Sequence, residues 1–125
     1  MGNLTVNFSR HEFRCKCGFC NLDTIDSEVV SVLQDACNYF AHTLATDKVV
    51  YIITSGFRCK FWNGHEGGTF DSLHPSGRAA DGYIVGVNIT ALAAYFYNAL
   101  PEEDWEVIIN EQKGYVHIAR RLTND

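Results

Sequence analysis

Residues 105–119 read Trp105-Glu-Val-Ile-Ile-Asn-Glu111, then Gln112-Lys113-Gly114, then Tyr115-Val-His-Ile-Ala119. Two runs rich in β-branched and aromatic residues around a short connection that ends in glycine predict an antiparallel β-hairpin. A three-residue connection closed by a left-handed glycine would pair Glu111 with Tyr115 and Ile109 with His117. Because side chains alternate between the two faces of a strand, we expect Glu111, Tyr115 and His117 to share one face.

The sequence outside the hairpin predicts two more strands and two helices. Val49-Val-Tyr-Ile-Ile53 has the composition of a central strand, and residues 78–85 resemble another. Apolar side chains recur every three or four residues after Asp26 or Ser27 and again after Asn88, which indicates two capped helices. The predicted fold class is α+β, with a small, mainly antiparallel sheet backed by two principal helices.

Length and charge limit the function classes. The 125 residues suit one domain, over residues 1–125, and the net charge of −5 argues against nucleic acid as a partner. The longest uncharged stretch, residues 82–101, is interrupted by glycine and asparagine, so we expect no membrane span. The first residues lack the basic flank and apolar core of a signal peptide. We therefore expect a protein that is made in the cytoplasm without a signal peptide. We also expect it to be a monomer.

Five cysteines occur in the chain: Cys15, Cys17, Cys20, Cys37 and Cys59. An odd number weakens the interpretation as a disulfide scaffold. For the three that surround Gly18 we favour reduced thiols that pack a tight loop. One local disulfide is an alternative, and so is a small structural zinc site whose fourth ligand comes from Cys59 or His11.

A second group of residues has the composition of a metal site. Residues 59–76 form a glycine-rich stretch without regular periodicity, and long connections of this kind are usually functional. His74 lies near its end, Asp81 follows in a predicted strand, and His117 belongs to the hairpin. Each of the three alone is better explained as a hydrogen-bonded or solvated side chain. Together they form a three-ligand set that leaves a tetrahedral zinc one position open for water.

Ordered motifs along the chain resemble a known family. They are Ser55-Gly-Phe-Arg58, Asn63, Ser72-x-His74-x-x-Gly77-Arg-Ala-Ala-Asp81 and Tyr115-Val-His117. This set resembles the D-alanyl-D-alanine carboxypeptidase group of zinc peptidases, which includes bacterial wall-remodelling enzymes and phage lysins. The group shares its fold with the signalling domain of hedgehog proteins. The opening Asn7-Phe-Ser-Arg-His-Glu-Phe-Arg-Cys15 also resembles small phage-type members.

The resemblance implies a role for five residues. It implies zinc ligation by His74, Asp81 and His117. It implies that Arg58 binds a substrate carboxylate or polarises the scissile carbonyl, and the planar guanidinium suits a carboxylate better than lysine would. Ser72 would support the site from nearby.

The catalytic base follows from a comparison within that group. Many relatives carry an acid three residues before the last zinc histidine, where this chain has Gly114, and others an Asp two residues after it, where Ala119 stands. The hedgehog arrangement instead places a Glu six residues before the last zinc histidine, and Glu111 has this spacing from His117. Tyr115 occupies the position at which hedgehog proteins have a second histidine. We predict Glu111 as general base and Tyr115 as a hydrogen-bond donor to the developing oxyanion.

The function implied is zinc-dependent hydrolysis of a peptide bond in the stem or cross-link peptides of bacterial peptidoglycan, as in an endolysin of phage or prophage origin that acts on the cell wall. If Glu111 is not the base, Asp71 or Glu66 of the long loop are the next candidates, although a solvated position explains each of them. The rival function is a non-catalytic zinc-binding recognition module, which the departures at Gly114 and Ala119 favour.

Overall fold

The computed structural model describes residues 2–68 and 72–122. Two short 3-10 turns, Arg10–Phe13 and His74–Ser76, accompany the regular elements. The helices are α1 (Ser27–Thr43), α2 (Lys60–His65) and α3 (Ile89–Ala99). The strands are β1 (Tyr51–Ser55), β2 (Ala79–Ile84), β3 (Trp105–Asn110) and β4 (Tyr115–Arg120).

The four strands form one antiparallel sheet in the order β1-β2-β4-β3. Helix α1 contacts β2 and β4, and α3 contacts β2, β3 and β4. Both helices cover the same face, where Leu33, Phe96 and Ile118 belong to one buried apolar cluster. The predicted class, α+β with a mainly antiparallel sheet and two principal helices, is confirmed. In the described part of the chain, each helix is too short or too polar to cross a bilayer.

Side-chain caps start both principal helices where the sequence predicts them. The Asp26 carboxylate accepts a hydrogen bond from the Glu28 N–H at 2.8 Å, at the start of α1. The Asn88 side chain accepts one from the Thr90 N–H at 2.7 Å, at the start of α3. Each cap satisfies a backbone donor that has no partner within its helix.

The long segment before β2 differs from the predicted loop. It contains α2 and the 3-10 turn His74–Ser76. Only Asn63 is buried within α2. A helix this short with no buried apolar stripe leaves no periodic signal in the sequence, which is why the pattern did not reveal it.

The hairpin has a different register from the predicted one. Residues 111–114 form a four-residue connection, so Asn110 pairs with Tyr115 and Ile108 pairs with His117. The predicted pairing of Glu111 with Tyr115 and of Ile109 with His117 was wrong. Gly114 does adopt the predicted left-handed conformation, with φ 77°, and its N–H donates to the Asn110 carbonyl at 2.8 Å.

Burial on the helix-covered face explains this register. Trp105 is buried there, and Val107 and Ile109 pack against the same apolar cluster. Strand alternation then directs Ile108, which is 49 % exposed, to the opposite face together with Glu106. The observed register therefore buries the apolar side chains that the predicted one would have turned towards His117.

Candidate metal centre

Three potential ligands meet on the sheet face opposite the helices. Asp81 of β2 lies directly opposite His117 of β4, and His74 comes from the 3-10 turn before β2. One ligand atom from each residue lies within 4.8 Å of the other two. His74 Nε2 and Asp81 Oδ1 are 3.4 Å apart, close to the roughly 3.4 Å between two ligand atoms of tetrahedral zinc. The donor set and its spacing fit a zinc ion.

The turn that carries His74 is fixed by local contacts. The Ser72 hydroxyl accepts a hydrogen bond from the His74 N–H at 3.2 Å. Gly77 ends the turn with φ 73°, and a side chain there would have its Cβ 2.8 Å from the Thr24 carbonyl oxygen. Only glycine meets both requirements, so the turn enters β2 with His74 buried beside Asp81.

A backbone carbonyl determines the tautomer of His74. The Nδ1 atom lies 2.7 Å from the Gly56 oxygen. Because a carbonyl oxygen only accepts, Nδ1 carries the hydrogen and the lone pair is left on Nε2. That nitrogen is the one that faces Asp81, so His74 has the tautomer required of a metal ligand.

Two carboxylates hold His117, one at each ring nitrogen. Nδ1 lies 2.7 Å from Asp81 Oδ1, and Nε2 lies 2.9 Å from Glu106 Oε1. Burial lowers the pKa of His117, but the hydrogen bonds and charges of Asp81 and Glu106 outweigh it and raise the pKa above its usual value. A metal would replace the proton on Nδ1, while Glu106 keeps the one on Nε2.

Asp81 is an ionised carboxylate in a nearly closed position, with 2 % of the residue exposed. Burial raises its pKa, but the hydrogen bond from His117 and the adjacent ring of His74 outweigh burial and hold the pKa well below its usual range. Its second oxygen, Oδ2, accepts a hydrogen bond from Arg58 Nη2 at 3.2 Å. Each oxygen of Asp81 therefore has a positively charged or hydrogen-bonding neighbour.

A cavity of about 810 Å³ opens beside these three residues. Arg58, Ser72 and Tyr115, which the sequence predicts at the site, line it together with His74, Asp81 and His117. Arg58 is fixed at the wall, since Nε also donates to Ser55 Oγ at 2.8 Å. The Tyr115 hydroxyl accepts a hydrogen bond from Asn110 Nδ2 at 3.3 Å.

Glu111 does not lie at this cavity. It lies in the exposed connection after β3 and is absent from the residues that line the cavity. Within residues 2–68 and 72–122, the acidic residues of the cavity wall are Glu66, Asp81 and Glu106. Asp71 lies outside the described residues.

Sequence reasoning missed Glu106. Its carboxylate lies between His117 Nε2 and the guanidinium of Arg121, whose Nη1 is 3.9 Å from Oε2. The alternation of Trp105, Val107 and Ile109 could have revealed it, since three apolar residues on one face leave Glu106 on the face of His117.

A comparison with protein families gave a match. Neither the curated proteins nor the solved structures gave a match. The family described as Peptidase M15 matches residues 6–119, a range that includes every residue of the candidate metal set. This match covers most of the 125 residues, and the chain belongs to the Peptidase M15 family.

Proposed function

We propose that the protein is a zinc-dependent peptidase that hydrolyses a peptide bond in the stem or cross-link peptides of bacterial peptidoglycan. The observation that carries the proposal is the three-ligand set of His74, Asp81 and His117 at the wall of an open cavity. Zinc in such a set lowers the pKa of the attacking water towards ~7 and polarises the scissile carbonyl. Three protein ligands leave the remaining coordination position to water and substrate.

Arg58 is proposed to bind the substrate. Its Nη2 and Nε are already engaged by Asp81 and Ser55, which fixes the plane of the guanidinium at the cavity wall. The remaining N–H groups of the fork suit a carboxylate, and the stem peptide of peptidoglycan ends in one. The pairing with Asp81 also means that Arg58 is oriented before the substrate arrives.

Tyr115 is proposed to donate a hydrogen bond to the oxygen of the scissile carbonyl as negative charge develops on it. The hydroxyl lies at the cavity and accepts from Asn110, so its own hydrogen is free to point elsewhere. A donor positioned in this way stabilises the transition state more than the ground state.

A carboxylate is needed to accept the proton of the attacking water, and two residues are supported by different observations. Glu111 has the spacing of the hedgehog arrangement, whereas Glu66 lines the cavity. We assign Glu106 a different role, because it already accepts the His117 Nε2–H. A general base contributes ~100- to 10,000-fold in rate, so Glu66→Gln and Glu111→Gln distinguish the two.

The direct test is digestion of purified peptidoglycan and of a synthetic stem pentapeptide by the zinc-loaded protein, with mass analysis of the products. Loss of the terminal D-alanine would identify a carboxypeptidase, and opened cross-links would identify an endopeptidase. The matched control is His117→Ala, which should release nothing. Wild-type protein that releases no fragment from either substrate would overturn the proposal.

A recognition module that binds zinc without catalysis is the second candidate function. The observation that favours it is that Glu111 is exposed and is not among the residues that line the cavity. Such a module would bind stem peptides in the digestion experiment and leave them intact. Peptide retention with no hydrolysis would therefore support it.

We also propose that the protein acts as a monomeric endolysin, encoded by a phage or prophage and made in the cytoplasm before it reaches the wall. The resemblance of residues 7–15 to small phage-type members supports this. Lysis of permeabilised cells by added protein, compared with His117→Ala, tests it. A wild-type protein that hydrolyses stem peptides but leaves whole walls undamaged would contradict this setting.

A further inference from the structure

Four cysteine side chains converge outside the cavity. They are Cys15, Cys17, Cys20 and Cys59, and their Sγ atoms lie within 4.8 Å of one another. Zn–S bonds of about 2.3 Å place the sulfur atoms of a tetrahedral site roughly 3.8 Å apart. The measured separation of Cys17 Sγ and Cys20 Sγ is 3.6 Å. The spacing of the four sulfur atoms therefore fits one metal ion.

The backbone around the cluster directs N–H groups at sulfur. Cys17 Sγ accepts from the N–H groups of Cys20, at 3.4 Å, and Phe19, at 3.3 Å. Cys15 Sγ accepts from the Cys59 N–H at 3.3 Å, which links the two parts of the cluster. Donors of this kind stabilise the thiolate form that metals bind.

Hydrophobic burial does not explain how this loop is ordered. Within residues 15–22, Cys15 is the single buried residue, while Phe19 is 80 % exposed and Leu22 is 49 % exposed. A surface loop with so little buried apolar area gains little from packing. Three thiols in such a loop that converge with a fourth, from Cys59, are typical of a structural metal site, where metal binding supplies the folding energy.

We propose that Cys15, Cys17, Cys20 and Cys59 bind one structural zinc ion, separate from the histidine-containing site. Four protein ligands close the coordination sphere, so this site has no position for water or substrate. It would fasten the N-terminal loop to the segment before α2, where Arg58 directly precedes Cys59. The Phe57 N–H donates to the Phe13 carbonyl at 2.8 Å and already joins the same two segments.

Cys37, the fifth cysteine, provides a matched control. It lies on α1 with 1 % of the residue exposed, inside the apolar cluster. Burial raises the pKa of its thiol to about 12, so it stays protonated and is a poor ligand. The substitution Cys37→Ala therefore removes one thiol without touching the proposed site.

The first test counts zinc ions in reduced, desalted protein. We expect two per chain in the wild type and in Cys37→Ala. The double variants Cys17→Ala/Cys20→Ala and His74→Ala/His117→Ala should each retain one. A wild type that holds a single zinc ion, lost entirely in the histidine double variant, would overturn the proposal.

The second test uses the unaltered chain, so it does not depend on whether the variants fold. In zinc-loaded protein, four of the five thiols should react with a thiol reagent only after a chelator is added. Replacement of zinc by Co²⁺ should give the near-ultraviolet absorption of thiolate–cobalt bonds. Prompt reaction of the thiols, or two missing thiols in the denatured chain because a disulfide formed, would overturn the proposal. Neither readout depends on peptide hydrolysis.

Discussion

The two groups of potential metal ligands in this protein are built in opposite ways. Asp81 and His117 lie opposite each other on paired strands. The two histidine rings are oriented by the hydrogen bonds that they donate to the Gly56 carbonyl and the Glu106 carboxylate. The cysteine cluster, Cys15, Cys17, Cys20 and Cys59, lies on loop backbone with little apolar packing. The sheet therefore preforms the histidine-containing site, whereas the cysteine site depends on its ion for order. Rigidity without the metal suits a site that must also admit water and substrate.

The largest effect should come from removing the histidine ligands. We expect His74→Ala/His117→Ala to lose hydrolysis to the level of metal-free protein while its far-ultraviolet circular dichroism stays that of the wild type. The sheet and core persist because they do not depend on the ion. Cys17→Ala/Cys20→Ala should instead lower the thermal midpoint. Circular dichroism melts of both variants test the contrast. A lowered thermal midpoint in the histidine variant together with an unchanged midpoint in the cysteine variant would refute it.

The next largest effect should come from Glu106, whose carboxylate accepts the His117 Nε2–H. Glu106→Gln keeps the shape but weakens the acceptor for Nε2–H, and loss of such a partner costs ~10- to 100-fold in metal affinity. Glu111→Gln, in the exposed connection five residues after Glu106, should leave zinc affinity unchanged. Competition with a chromophoric chelator measures both. Equal affinity of Glu106→Gln and the wild type would show that His117 needs no support from Glu106.

A smaller effect is expected at the substrate side of the cavity. Arg58→Lys keeps the charge but loses the planar fork, and one charge-assisted hydrogen bond is worth about 1.5 kcal/mol or more. That corresponds to at least a roughly tenfold fall in kcat/KM on a stem pentapeptide. Zinc content should stay at the wild-type value. Unchanged kinetics would show that the guanidinium does not bind the substrate.

The smallest effect should come from the ion pair of Arg120 and Asp26, which belongs to neither group of metal ligands. Arg120 Nη2 donates to Asp26 Oδ2 at 2.9 Å. Burial opposes the shift, but the hydrogen bond and charge of Arg120 lower the pKa of Asp26 below its usual value. Because the folded pKa is depressed, this stabilisation is present above pH ~4 and is lost as the pH falls through the folded pKa.

Asp26→Asn keeps an N-cap side chain and removes the charge, so the free energy of unfolding should fall by up to about 1 kcal/mol at neutral pH. Denaturant melts at decreasing pH should show the variant and the wild type converge in acid. Zinc content should not change in either protein. A difference that persists at low pH would mean that the charge of Asp26 is not the cause.

Sequence periodicity predicted most of the fold because buried faces impose it. The caps at Asp26 and Asn88 and the apolar stripes behind them appear in the structure where they were expected. The hairpin register was not predicted, because one additional residue in the connection reverses every side chain. The alternation of Trp105 and Val107 indicates the observed register, whereas the glycine at the end of the connection indicates the predicted one.

The site was partly predictable for a different reason. Residue types and their order indicated His74, Asp81 and His117, but the groups that orient them are tertiary contacts. The Gly56 carbonyl is backbone and has no sequence signature, and Glu106 reaches His117 only after the register is known. Spacing likewise left Cys59 and His11 as equal candidates for the fourth ligand of the cysteine site, until the structure placed Cys59 beside Cys15.

Gly56 limits the positions at which this sequence and that of a relative can be joined in a chimera. Its carbonyl oxygen orients His74, and a Cβ at this position would lie 2.6 Å from the Phe13 Cα. The opening segment and the turn after β1 therefore fit each other as a matched pair. A chimera with a crossover between residues 20 and 56 takes them from different parents. A mismatch at Phe13 would then be transmitted to His74, a proposed metal ligand that is distant in sequence. Crossovers placed after residue 85 keep the pair together and exchange only α3 and the hairpin.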